Sequence, residues 1–141
     1  MASAFKAIIG TNRSDVLRGI HNTGDTIYGL GGNDTIRALN GADFLYGGEG
    51  NDKIYAAGGD DMIWGGLGND YIDGGTGNDT AVYAELTGPA VVDLAITSAQ
   101  NTGAYGFDTL VNIENLISGA SNDTLRGNAL MKTKYDPSGN S

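Results

Sequence analysis

An all-β solenoid of stacked parallel strands is the fold this sequence predicts, and three observations carry the prediction. Aspartates recur at 15, 25, 34, 43, 52, 61, 70 and 79, one step of ten residues followed by six of nine. Most steps carry glycines ahead of the aspartate. An aliphatic residue stands two places after it, giving the row Leu17, Ile27, Ile36, Leu45, Ile54, Ile63 and Ile72. A nine-residue unit is too short to fold alone, so it is one tile of a stacked coil.

Taken in chain order, residues 1–9 form a short lead-in and 10–82 form the tiles. The cleanest tiles are Gly29 to Arg37, Gly47 to Tyr55, Gly65 to Asp73, and Gly74 to Asp79. Between them, Ala38 to Tyr46 and Ala56 to Trp64 lose some glycines but hold phase. At the start, Gly10 to Arg18 keeps only Gly10, Asp15 and Leu17, and Gly19 to Tyr28 carries one extra residue. In each tile the glycine-rich half is expected to make a tight turn with its carbonyls aimed to one side. The three residues after the aspartate alternate polar, aliphatic, polar, the period of a short strand with one side chain facing inward.

Two tiles make one coil, so each loop stacks on the loop two tiles away. The aspartates then sort into two columns, Asp15, Asp34, Asp52 and Asp70 in one and Asp25, Asp43, Asp61 and Asp79 in the other. Strands stack about 4.8 Å apart, so the carboxylates of a column repel one another unless a cation intervenes. Calcium takes six to eight oxygens at about 2.3–2.6 Å and accepts backbone carbonyls, whereas magnesium keeps its waters and a stricter geometry. Loops that offer carbonyls and carboxylates, in a chain with no cysteine and only His21, favour calcium over a transition metal. The carbonyls expected to share the ions stand five and three residues before an aspartate: Gly29, Gly31, Gly47, Glu49, Ala56, Gly58, Gly65, Leu67, Gly74 and Thr76.

These tiles resemble the glycine- and aspartate-rich nonapeptides of the repeats-in-toxin (RTX) family, whose motif binds calcium. The resemblance covers Gly10 to Val82, with a further degenerate tile, Gly119 to Gly127, around Asp123. It implies a right-handed parallel β-roll, several Ca2+ ions held between stacked loops, and folding in a calcium-rich medium outside the cell. It also implies a secreted bacterial protein that leaves through a one-step (type I) exporter reading an uncleaved C-terminal signal.

Composition agrees with this reading. The chain has 17 acidic against 8 basic residues, a net charge of −9, and 24 glycines. A metal-free chain of this kind repels itself and loses much glycine freedom on ordering, so metal binding must supply folding free energy. The negative charge disfavours nucleic acid as a partner. No hydrophobic run is long enough to span a membrane, and Met1 to Ile9 is too short for a signal peptide. The polar end, Lys132 to Ser141, lacks a terminal apolar motif, so 131–141 reads as a disordered tail and the chain as an internal fragment or a trimmed piece.

After Val82 the repeat gives way to two strand-like stretches, Ala90 to Ala95 and Thr109 to Ile117. Residues 83–130 are expected to cap the open apolar end of the roll. On one predicted sheet the outward residues are aromatic: Tyr28, Phe44, Tyr46 and Trp64. This row is a candidate surface to be covered by the capping segment, to dock an attached domain, or to stack a polysaccharide. Catalysis finds no support, since His21 stands alone, no serine has a paired base at a recognisable spacing, and the acids are committed to the metal register. The reading is therefore a non-enzymatic, calcium-folded module that assists export and stabilises an attached domain. Its alternatives are a carbohydrate-facing accessory module like those of alginate epimerases, a segment of a surface adhesin, or a piece of a secreted lipase, protease or toxin.

Overall fold

The computed structural model describes residues 7–20, 22–84, 87–127 and 133–135. His21 and the polar end, apart from Thr133–Tyr135, lie outside the described residues. Its strands in chain order are β1 (Ile8–Ile9), β2 (Val16–Arg18), β3 (Thr26–Gly31), β4 (Thr35–Asn40), β5 (Phe44–Glu49), β6 (Lys53–Gly58), β7 (Met62–Leu67) and β8 (Tyr71–Asp73). There follow β9 (Thr80–Tyr83), β10 (Val91–Asp93), β11 (Gln100–Asn101), β12 (Phe107–Val111), β13 (Asn115–Ser118), β14 (Thr124–Arg126) and β15 (Thr133–Tyr135). Among the described residues no helix is long and apolar enough to cross a membrane.

Successive tiles alternate between two sheets, as a two-tile coil requires. One sheet runs β1-β3-β5-β7-β9-β13-β15, and the other runs β2-β4-β6-β8-β12-β11. Pairing along the repeats is parallel, with Ile27 opposite Leu45 and Leu45 opposite Ile63 in the first sheet. In the second, Leu17, Ile36, Ile54 and Ile72 lie in one rank that Leu110 continues. These inward side chains from both sheets fill the core. Ile27, Ile36, Leu45, Ile54 and Ile63 are fully buried, and Leu17, in the first coil, is partly so. Each buried isoleucine contributes about 1.5–3 kcal/mol, so the phase of the aspartates is held by the phase of the core.

Three expectations need correction. The strands β3 to β7 are six residues long rather than three, because pairing continues into the glycine half: Leu30 pairs with Gly48 and Gly31 with Glu49. Backbone ladders need no side chain, so the turn begins later than the first glycine. Thr109 to Ile117 is not one strand but two, β12 in one sheet and β13 in the other, with a corner at Asn112, whose φ is +54°. The capping stretch thus begins by prolonging both sheets. Finally, Thr133–Tyr135, expected within the disordered tail, pairs with β13.

Candidate metal centre

Each register aspartate ends its loop one residue before a strand, and the stacking of coils fixes both its backbone and its carboxylate. Its carbonyl accepts the N–H that opens the strand one coil on, as Asp15 does from Thr35, Asp34 from Lys53 and Asp52 from Tyr71, all at 2.8 Å. The carboxylate completes the ladder. Asp15 N–H donates to Asp34 Oδ1, Asp34 N–H to Asp52 Oδ1 and Asp52 N–H to Asp70 Oδ1, at 2.8, 2.8 and 2.9 Å. In the second column Asp25, Asp43 and Asp61 donate in the same way to Asp43, Asp61 and Asp79, at 2.5, 2.8 and 2.9 Å. The two columns read from the sequence are therefore physical objects.

From Asp34 and Asp43 onward, one oxygen of each carboxylate is thus spent on the ladder, and the other is what remains for a ligand. Asp34, Asp43, Asp52, Asp61 and Asp79 are each 0–1% exposed, and Oδ2 of every one is buried with no hydrogen-bond partner. An unmet buried polar atom costs about 1–3 kcal/mol, and more when charged, so five of them cannot stand ionised without a counter-charge. Burial is the main cause that raises their pKa values, with the neighbouring carboxylate adding to it and the ladder N–H opposing. Asp52 and Asp61 rise to about 6 and Asp79 to about 8, while Asp34 and Asp43 rise in the same direction.

Main-chain oxygens converge on the same points. A Cβ built on Gly29 would lie 2.5 Å from Asp34 Oδ2 and 2.4 Å from the Gly47 carbonyl oxygen. One built on Gly47 would lie 2.5 Å from both Asp52 Oδ2 and the Gly65 carbonyl oxygen, and one on Gly74 would meet Asp79 Oδ2 at 2.7 Å and the Asn112 carbonyl at 2.3 Å. Glycine there leaves the space that a carboxylate oxygen and a carbonyl from the next coil share. Among the described residues no three acidic, histidine or cysteine side chains gather round one point, so a cation held in these loops must draw on carbonyls. That donor set, hard oxygens of mixed carboxylate and carbonyl type, suits Ca2+.

The predicted carbonyls divide. Those of Gly47 and Gly65, five residues before an aspartate, face the Oδ2 atoms of the coil before. Those of Gly58, Leu67 and Thr76, three before, accept ladder N–H groups from Gly41, Gly50 and Gly59 at 2.8, 2.9 and 3.0 Å. Gly31 and Glu49 sit opposite each other in the β3–β5 pair. At the amino-terminal end, Asp15 Oδ2 accepts the Thr11 N–H at 2.6 Å and its hydroxyl at 2.8 Å, and Asp25 Oδ2 accepts the Ile20 N–H at 2.9 Å.

Two members of the columns escaped the sequence reading. Asp70 N–H donates to Asp108 Oδ1 and Asp79 N–H to Glu114 Oε2, both at 2.9 Å. Asp123 makes the same contact in the separate β10–β14 pair, accepting the Ala90 N–H at 2.8 Å, and its Oδ2 is also buried and unmet. The signal for Asp108 was present as Gly106-Phe107-Asp108-Thr109-Leu110, which keeps the glycine, the aspartate and the inward leucine.

The aromatic row is real, but its rings face one another. Tyr28 and Tyr46 stack with centroids 4.6 Å apart and planes 13° apart, and Tyr46 and Trp64 stack at 4.3 Å and 15°. Rings parallel at the strand spacing turn their faces along the stack and only their edges to solvent. The three stay half-buried; of the strands after Val82, β13 and β15 extend this sheet past β9, β12 and β11 extend the other, and β10 and β14 pair with each other. The other sheet is mixed, with the Arg37 guanidinium 4.5 Å above the Tyr55 ring.

Compared with known protein families, residues 22–54, 46–81 and 112–129 match the model for the RTX calcium-binding nonapeptide repeat, which spans four copies of the unit. No curated protein matches the chain.

Proposed function

The chain belongs to the RTX calcium-binding nonapeptide repeat family, and from that premise we propose that calcium folds the roll, assisting export of a secreted bacterial protein and stabilising an attached domain. The observation that carries this reading is the set of buried, unmet Oδ2 atoms on Asp34, Asp43, Asp52, Asp61 and Asp79. Ca2+ bound there would supply the positive charge that lets two stacked coils close on each other. The carboxylates of those five, with carbonyls such as those of Gly47 and Gly65, would hold it. Asp15, Asp25 and Asp70 complete the candidate ligands. In the cytoplasm, where free calcium is scarce, the same carboxylates repel and the chain stays open for export; outside, ion uptake and coil closure are one process.

The matched repeats are typically non-catalytic, and the register aspartates, with Asp108 and Glu114, are tied into the ladder. The half-exposed edges of Tyr28, Tyr46 and Trp64 favour docking of an attached domain. A carbohydrate-facing role or an adhesin segment is the second reading, and the mutual stacking of the rings weighs against it, because sugar rings bind to aromatic faces. Far-UV circular dichroism during a calcium titration tests the main reading. Sheet signal is expected to appear with calcium, and a fully formed sheet spectrum in chelator would refute it.

A further inference from the structure

The first carboxylate column ends at Asp108, and its end is built differently from its middle. Oδ1 of Asp108 takes the Asp70 N–H as every other step does. Its Oδ2 is engaged as well: the Tyr83 hydroxyl donates to it at 3.0 Å and the Thr102 hydroxyl reaches it at 3.0 Å. Asp108 and Thr102 are fully buried and Tyr83 is 3% exposed. In the same column Asp34 and Asp52 carry an Oδ2 with no such donor.

Both donors are held from behind. The Tyr105 hydroxyl donates to the Tyr83 carbonyl at 2.5 Å, and the two rings meet edge to face at 4.9 Å. Thr102 donates its N–H to the Gly106 carbonyl at 2.8 Å, and its hydroxyl lies 2.9 Å from that same oxygen. The Tyr105 carbonyl accepts the Gly68 N–H at 3.0 Å. Beyond β12 the sheet closes with the antiparallel β11, so no further coil brings a carbonyl to share with Asp108. A hydroxyl aimed at a carboxylate oxygen sets its hydrogen where a cation would sit.

We propose that Asp108 is an ion-free seat, in which the hydroxyls of Tyr83 and Thr102 stand in for calcium, close the column and set how many ions the roll takes up. The proposal rests on the reading of the unmet Oδ2 atoms as calcium ligands. A carboxylate stack needs such an end: a last ion would have protein oxygens on one side only, and a last carboxylate without donors would be buried unmet.

Calcium stoichiometry of the full chain, measured by equilibrium dialysis and calorimetry with far-UV dichroism as the folding control, tests it. Asp108→Asn is expected to bind as many ions as the unmodified chain, because the new amide can donate to the tyrosine oxygen. Asp52→Asn is expected to lose at least one. Tyr83→Phe combined with Thr102→Val, which removes both donors, is expected to take up one more, held more weakly than the others because water must complete its coordination on the side that lacks a further coil. If Asp108→Asn loses an ion alongside Asp52→Asn, the ion-free seat is overturned while the calcium reading stands. If Asp52→Asn loses none, the calcium reading falls and takes the proposal with it. Should Asp108→Asn fail to fold, the double variant decides: one extra ion supports the proposal, and an unchanged count overturns it.

Discussion

Replacing Asp52 by asparagine should move the metal-free and the calcium-loaded chain in opposite directions. Asp52 is 1% exposed, its Oδ1 accepts the Asp34 N–H at 2.8 Å, and its Oδ2 is unmet. Burial, with the Asp34 charge behind it, raises its pKa from 3.8 to about 6 against the opposing pull of the Asp34 N–H. A carboxyl raised in the folded state stabilises the fold below its unfolded pKa and loses that contribution as pH climbs through the folded one. At pH 7 both have been passed. At 1.36 kcal/mol per pH decade the ionised group costs the metal-free roll about 3 kcal/mol, reduced to about 1–3 kcal/mol by water at the loop edge.

Asparagine keeps an acceptor for the Asp34 N–H, drops the charge, and turns an amide toward the side where the Gly65 carbonyl converges. In chelator the variant should therefore gain about 1–3 kcal/mol. In calcium it loses the anionic ligand of one seat, and an ion present at a hundred times its Kd is worth about 2.7 kcal/mol. Osmolyte-driven folding in chelator gives the first quantity, from the shift in midpoint, and thermal unfolding in excess calcium gives the second. A shift of the same sign in both conditions would refute the reasoning, since it would mean that Asp52 Oδ2 does not distinguish a bound ion from its absence.

Further outcomes follow from the same geometry. With calcium chelated, acidification should build sheet structure: Asp79 titrates at about 8 and Asp52 and Asp61 at about 6, so their stabilising contribution, complete below 3.8, is lost as pH rises through that window. A dichroism signal that weakens toward acid in chelator would contradict this. Gly48→Ala sets a Cβ 2.1 Å from the Leu30 carbonyl oxygen at a φ of +107° and should cost about 2 kcal/mol or more. Ala57→Gly, at an exposed position with φ +79°, should raise stability by about 0.5–1 kcal/mol; both are read as shifts in Tm in calcium. Trp64→Ala removes a ring stacked 4.3 Å from Tyr46 and should cost about 2 kcal/mol. It should leave retention on polysaccharide resins unchanged, and loss of retention at constant stability would favour the glycan reading instead.

Much of the architecture was legible because each coil repeats the same two demands. An inward aliphatic residue must fall on the previous one, and an aspartate must accept the N–H of its counterpart one coil earlier. Ile36, Ile54 and Ile72 satisfy the first, and Asp34, Asp52 and Asp70 satisfy the second. Both leave their mark at fixed positions, so both columns and the alternation of sheets could be read from spacing. What could not be read depended on contacts that spacing does not encode. Glycines that look like turn residues continue the strands, since β pairing is a backbone property, and Leu30, Leu39 and Ala57 occupy positive φ where other tiles place glycine. The closing of Asp108 by Tyr83 and Thr102 spans 25 and 6 residues of sequence and leaves no periodic trace.

The two missed carboxylates show which part of the motif the fold requires. Asp108 has Gly106 ahead of it but no glycine doublet, and Glu114 has neither glycine nor aspartate, yet each takes its place in the ladder. What Asp108-Thr109-Leu110, Glu114-Asn115-Leu116 and Asp123-Thr124-Leu125 share with the clean tiles is an acid followed two places on by an inward leucine or isoleucine. Leu110, Leu116 and Leu125 are 0–3% exposed, as the repeat predicts. The acid and the aliphatic residue set the phase of a coil, through one hydrogen bond and one buried side chain. The glycines add room for a carbonyl and a cation beside the second carboxylate oxygen. A tile that keeps the first pair and loses the glycines can therefore still stack, and at Asp108 the oxygen left over is met by hydroxyls.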